Sequence, residues 1–208
     1  MPFTAIEAAN SCVSRSKKLL AASDDAANIE VRDDLIRSAL VMAISAMDSY
    51  MHWMVFQEIT AVSKNAKLPK ALSKLEIPFS DVAALADAVI EGRREGKETR
   101  PWNALKNSAQ RQLLFRTFQS FDQVSVAMSM AGIADGWTKT SKALGVTSPE
   151  IKEKLNHLVH RRNQIAHEGD ILRSSRPRQL KFNDLDSGQV SRDVDWIASV
   201  IAAIESIR

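Results

Sequence analysis

An all-α fold is what this chain predicts, on three observations. Glycine and proline are scarce, at 7 and 6 of 208 residues, while helix formers such as alanine, leucine, lysine, arginine and methionine are plentiful. Apolar residues recur three and four positions apart over long stretches, the period of one helix face. No stretch reads as a strand of consequence. At 208 residues a single domain spanning 1–208 is expected, a bundle of long helices large enough to bury a real core.

The elements follow in order. Phe3 to Ser23 forms a first helix, with Ile6, Ala9, Val13, Leu19 and Leu20 inward and Arg15, Lys17 and Lys18 solvated; Ser23-Asp24-Asp25 breaks it. Asn28 to Val62 is a long second helix. Its front half is amphipathic and its back half apolar nearly all round, so it belongs at the centre. Pro69 and Pro78 break the connection from Lys64 to Ser80. Ser80-Asp81 caps a third helix that ends at Gly92, and Gly92 to Asn107 is read as a solvated polar loop. Ser108 to Met130 reads as one helix and Ala134 to Leu144 as a short one, with Trp137 inward and Gly145 as its stop. Ser148 serves as N-cap, with Pro149 first and Glu150 favouring the dipole, for a helix running to about His167. Gly169 closes it. Ile171 to Phe182 is a basic loop, and Ser187 to Ile207 the last helix.

Composition narrows the function classes. A net charge of +3 is compatible with a nucleic-acid partner without requiring one. The single Cys12 rules out an internal disulfide framework and suits a reducing, cytoplasmic setting. The N-terminus lacks a basic lead and an apolar core, so no secretion signal is expected. Ala39 to Phe56 approaches the length of a bilayer span. Asp48 and His52 in its middle favour a buried core helix, and no membrane partner is expected.

Chemistry concentrates in Leu158-Val159-His160-Arg161-Arg162-Asn163-Gln164-Ile165-Ala166-His167-Glu168-Gly169-Asp170. On a helical wheel Ile151, Leu155, Leu158, Val159, Ile165 and Ala166 form an apolar stripe with Arg162 in its middle. A lone buried guanidinium is costly, so Arg162 must meet a carboxylate, an interface or an anionic ligand. Asn156, His160, Asn163 and His167 form a second stripe, which is either a solvated flank or a site. Arg161 points away from the core, free to meet phosphate. In an ideal helix Arg162 and His167 point well apart. Bringing them to one phosphate requires a loosened turn before Gly169 or a second copy of the chain.

Arg162 to His167, with Asn163 after the arginine, resembles the Arg, four to six residues, His signature of the HEPN superfamily, and the phrase Arg-Arg-Asn-Gln-Ile-Ala-His is similar to its RNase-associated, RiboL-PSP-HEPN-like branch. The resemblance covers mainly Asp34 to Val62 and Ser148 to Arg208. It implies an HEPN-like helical bundle with a helical insertion between the central helix and the motif helix. It further implies a dimeric, metal-independent endoribonuclease of toxin–antitoxin or antiviral-defence type, with an antitoxin or defence-system protein as a partner. By resemblance His167 is the acid/base, Arg162 the phosphate ligand and Asn163 the polar residue that orients them. His160 and Arg161 support the site. Arg161 and the basic loop, Arg173, Arg176, Arg178 and Lys181, hold the RNA backbone through salt-sensitive contacts. An acidic residue on the early helix often faces the motif in this family, which implies an Asp48–Arg162 pair.

The residue types suit that chemistry. The ribose 2′-OH is an internal nucleophile, histidine moves protons near neutral pH, and arginine offers a planar donor fork that stays charged. His157 and His160 are spaced to share a metal, but a third firm ligand is missing, so neither metal nor other cofactor is expected. No phosphate-cradling glycine loop or Ser-His-Asp grouping is present. The alternative reading is a non-catalytic HEPN-type module that binds a nucleotide, a nucleic acid or a protein.

Overall fold

A computed structural model describes residues 3–61, 67–97, 101–173 and 179–208. Among the described residues, eight α-helices carry the fold and the only β pairing is an isolated bridge between Ile171 and Phe182. Thr4 starts α1 (Ala5–Asp24) through a capping box with Glu7, which satisfies two of the amides a helix start leaves open. Asn28 starts α2 (Ile29–Ala61) with its side chain alone, Oδ1 accepting from the amides of Glu30 at 2.7 Å and Val31 at 3.3 Å.

α2 is the axis of the molecule. Ala39, Ala43, Ile44, Ala46, Met47, Tyr50, Met51, Met54 and Val55 have no solvent exposure. α1 and α8 (Ser187–Ser206) lie along α2 and against each other. Small side chains on the facing surfaces, Ala5 and Ala9 on α1 and Ala39, Ala43 and Ala46 on α2, let the axes approach. Ser16 uses that proximity to donate to the Ala39 carbonyl at 2.7 Å. The Tyr50 hydroxyl donates to Glu205 at 2.6 Å, tying α2 to α8. α2 is long and apolar enough to cross a membrane, but 56% of its most apolar window is buried inside the fold.

The stretch between α2 and the motif helix departs from expectation in three places. After a 3-10 turn at Leu72–Lys74, α3 runs from Phe79 to Arg94, past Gly92. Its N-cap is Pro78 rather than Ser80 or Asp81. Asp81 instead accepts from Ser108, and from Arg111 at 2.8 Å, both on the next helix. Hydrogen bonds from Ser108 and then Arg111 hold its carboxyl below the usual carboxylate range.

The second departure is that residues 101–107, expected in the polar loop, form the first turns of α4 (Pro101–Leu113). Proline suits a first helical position, where no amide is needed. Ala109 and Leu113 supply a buried edge. Charge had masked that narrow face.

The third is a break in the expected Ser108 to Met130 helix. α4 stops at Leu113, and α5 spans Phe121–Met130. The chain turns because Asp48 on α2 accepts the Phe118 amide at 2.5 Å and the Gln119 side chain at 3.3 Å. Ser120 and Gln123 then form a capping box for α5.

α6 (Gly136–Leu144) packs on α5, α7 and α8. The Trp137 ring stacks on Phe121, with centroids 4.3 Å apart, while its Nε1 donates to the Phe121 carbonyl at 3.1 Å. The Phe121 amide in turn donates to Asn156 Oδ1 on α7 at 3.1 Å. α7 spans Ser148–Glu168, its N-cap being Thr147 rather than Ser148, in a capping box with Glu150. Ile151, Leu155 and Leu158 bury its first turns against the bundle. Its last turns emerge beyond that anchor.

Candidate active site

α7 ends in a left-handed turn. Gly169 has φ +62° and Asp170 has φ +59°. Both amides donate to the Gln164 carbonyl, that of Asp170 at 3.0 Å. Glycine occupies the first of these positions without a steric penalty. The helix therefore stays regular through His167 and closes abruptly behind it.

Three motif side chains meet on this exposed end. Arg162 Nη1 donates to Asn163 Oδ1 at 3.1 Å and lies 3.3 Å from His167 Nε2. No loosened turn and no second copy is needed to bring them together, contrary to the helical-wheel expectation. The wheel compares Cβ directions, about 140° apart here, whereas an arginine is long enough to cross the roughly 7.5 Å of axial rise. The contact is a hydrogen bond when Nε2 is the acceptor, which puts the imidazole proton on Nδ1.

Arg162 Nε is buried with no hydrogen-bond partner, and no carboxylate lies within ion-pair distance of the guanidinium among the described residues. Of the three partners that its place on the apolar stripe demanded, an interface and an anionic ligand therefore stay open. With Oδ1 bonded to Arg162, the Asn163 amide nitrogen is left as an outward donor.

A family model described as RiboL-PSP-HEPN matches residues 6–207. The chain belongs to the RiboL-PSP-HEPN family. No curated protein and no solved structure matches it. The matched range spans α3 to α6 as well as the central and motif helices. Membership is compatible with ribonuclease activity and makes an RNA-related module the coarse reading.

Two supporting roles expected within this HEPN motif are corrected. Arg161 is not a free phosphate ligand. Its guanidinium grips the Asp170 carboxylate with both terminal nitrogens, Nη2 at 2.8 Å. Its side chain is only 13% exposed. Arg37 Nε on α2 reaches the same carboxylate at 2.7 Å, and Asn183 Nδ2 at 3.1 Å. Burial pushes the Asp170 carboxyl up, but the hydrogen bonds from Arg161, Arg37 and Asn183 outweigh it and hold its pKa below the ordinary value.

Asp48 does not pair with Arg162 either. Its oxygens serve Phe118 and Gln119, with His52 Nε2 at 3.7 Å. The break between α4 and α5 supplied amides closer to hand.

The remaining candidates sit as follows. His160 is exposed on the flank of α7. Arg173 is exposed and pairs with Glu168 at 2.9 Å, and Lys181 is exposed nearby in sequence, where the Leu172 amide donates to its carbonyl at 2.7 Å. Arg176 and Arg178 lie outside the described residues. Among the described residues no cluster of three or more His, Cys, Asp or Glu is placed to hold a metal.

Arg37, Asp170 and Asn183 had not been singled out from sequence. A signal existed for one of them, since Asp170 is the lone acid between Glu168 and Asp184 in an otherwise basic segment.

Proposed function

We propose that this HEPN-family chain is a metal-independent endoribonuclease, and the observation that carries the reading is the 3.3 Å contact of Arg162 with His167 beside Asn163. With His167 neutral at Nε2, the imidazole takes the proton of a ribose 2′-OH as O2′ attacks the adjacent phosphorus. The P–O5′ bond breaks as the O2′–P bond forms, leaving a 2′,3′-cyclic phosphate. The leaving O5′ gains a proton and becomes a 5′-hydroxyl. Arg162, already against the imidazole, donates to the phosphate oxygens where negative charge grows. Asn163, oriented by Arg162, adds a neutral donor at the same place.

One imidazole cannot be base and acid in the same step. A homodimer that brings two copies of the motif to one cleft supplies a second His167 for the leaving oxygen. Exposed apolar side chains just beyond the motif, Ile171, Leu172, Leu180 and Phe182, support a face that a second copy covers. Arg173 and Lys181, together with Arg176 and Arg178, would carry the RNA backbone. We place the activity in the cytoplasm, as a toxin or antiviral-defence nuclease held in check by a partner protein.

Incubating purified protein with RNA in the presence and absence of EDTA tests the reading. Chelator-resistant cleavage to cyclic-phosphate ends, lost in His167→Ala, is the expected outcome. RNA that is bound but left intact by the wild type would favour the non-catalytic module, and cleavage abolished by EDTA would overturn the metal-free mechanism.

A further inference from the structure

Beyond the three residues at the site, the structure assigns a positioning role to Asp170, which disposes of one of two adjacent arginines and fixes the turn that carries His167. This rests on the ribonuclease reading for its consequence, but not for its geometry. Every polar atom of Asp170 is engaged. Its carboxylate receives Arg161 through two nitrogens, Arg37 Nε and Asn183 Nδ2. Its carbonyl receives the Asn183 amide at 2.9 Å and Asn183 Nδ2 at 3.1 Å. Its amide closes on Gln164. The side chain has no solvent exposure.

Two consequences follow for the site. Arg161 and Arg162 are neighbours, and either could by spacing serve the motif; Asp170 holds Arg161 against α2, so that Arg162 alone faces His167. Helix ends also fray at little free-energy cost unless something ties them down. His167 stands three residues before Asp170 on the last turn of α7, where its own side chain is exposed and packs little. The tie from Asp170 to Arg37 on α2 anchors that turn to the central helix. Asp170 pays for this with a left-handed backbone, φ +59°, an uncommon conformation for a residue with a Cβ and one that aspartate tolerates better than most.

The experiment compares wild type, Asp170→Asn and the milder Arg37→Lys, each checked for folding by circular dichroism. Asparagine keeps the shape and the tolerance for the left-handed turn while removing the charge. Two measurements are made on each protein. The first is kcat and KM on RNA. The second is the ¹⁵N resonances of the His167 ring, identified with His167→Ala, which report whether Nε2 is the unprotonated acceptor.

Asp170→Asn is expected to lower kcat by roughly tenfold or more with KM changed far less, and to shift the His167 nitrogens toward a mixture of tautomers. Arg37→Lys should show the same pattern in smaller measure, and decides the matter should Asp170→Asn fail to fold. Folded variants with wild-type kcat and wild-type His167 resonances would overturn the assignment. If the wild type cleaves no RNA yet the His167 resonances move as expected, the positioning stands and the ribonuclease reading falls.

Discussion

The Arg162 guanidinium reaches five residues forward along its own helix and brings Nη1 to 3.3 Å from His167 Nε2. A single helix thus presents a fixed cation and a titratable base side by side. The reach depends on the arginine's length, and one terminal nitrogen of its planar fork, Nη1, serves both His167 and Asn163. Lysine at this position keeps the charge but has one rotating ammonium in place of the fork. Arg162→Lys should therefore retain the fold and lose roughly 100-fold or more in RNA cleavage rate, the scale of losing a preorganised transition-state donor. Single-turnover cleavage measures it, and near-wild-type rates would remove Arg162 from the mechanism.

Gly169 closes the motif helix at φ +62°. An added Cβ meets nothing nearer than the Ile171 side chain at 3.9 Å, so space is not the obstacle. Conformation is. Gly169→Ala should cost on the order of 1–2 kcal/mol in unfolding free energy, the penalty of the left-handed region for an L-residue. Urea denaturation measures the difference.

Asp48 ties the backbone of the α4–α5 turn to α2. Asp48→Ala leaves the Phe118 amide without its acceptor, and an unsatisfied group of this kind costs about 1–3 kcal/mol. The expected result is a lower unfolding midpoint with unchanged RNA cleavage per folded molecule. Loss of cleavage at full stability would restore the pairing with Arg162 that the structure does not contain.

The Asp170 cluster sets a pH dependence. Its carboxyl lies below the ordinary carboxylate value in the folded protein, because its arginine and asparagine hydrogen bonds outweigh its burial. An unfolded aspartate titrates near pH 3.9. The stabilisation is therefore fully present above about pH 4 and is lost as pH falls through the lower folded value. Asp170→Asn should unfold more easily than wild type near neutral pH, by on the order of 3 kcal/mol, since it strands two guanidinium groups. That gap should narrow as the pH drops below about 4. Thermal melts across an acid series test it; a constant gap would mean that the charge of Asp170 is not what stabilises the turn.

The long helices were legible from sequence because each buries a continuous face. α1, α2, α7 and α8 fall within a few residues of where their apolar periods put them. The middle was harder for physical reasons. The buried edge of α4 is too narrow to outweigh the charges around it, which read as a solvated loop. The break after Leu113 is imposed by Asp48, far off in the chain, and local propensity carries no trace of that. At the site, Arg162, Asn163 and His167 meet on one helix, where the wheel had set Arg162 and His167 well apart. Arg161 was misjudged because the wheel shows direction and not partners. Asp170 lies nine residues on, and Arg37 lies on another helix.

Tyr50 is the chain's sole tyrosine, and its buried hydroxyl joins the central helix to the last one at Glu205. Burial first, and then the hydrogen bond to that carboxylate, hold its phenol far above the ordinary value near pH 10. The neutral phenol's contribution to stability is thus complete below about pH 10 and drains away as alkalinity rises beyond it. Phenolate absorbance in this protein consequently has a single source. In an alkaline titration its onset reports the loss of the Tyr50–Glu205 hydrogen bond between α2 and α8, an optical gauge that needs no label.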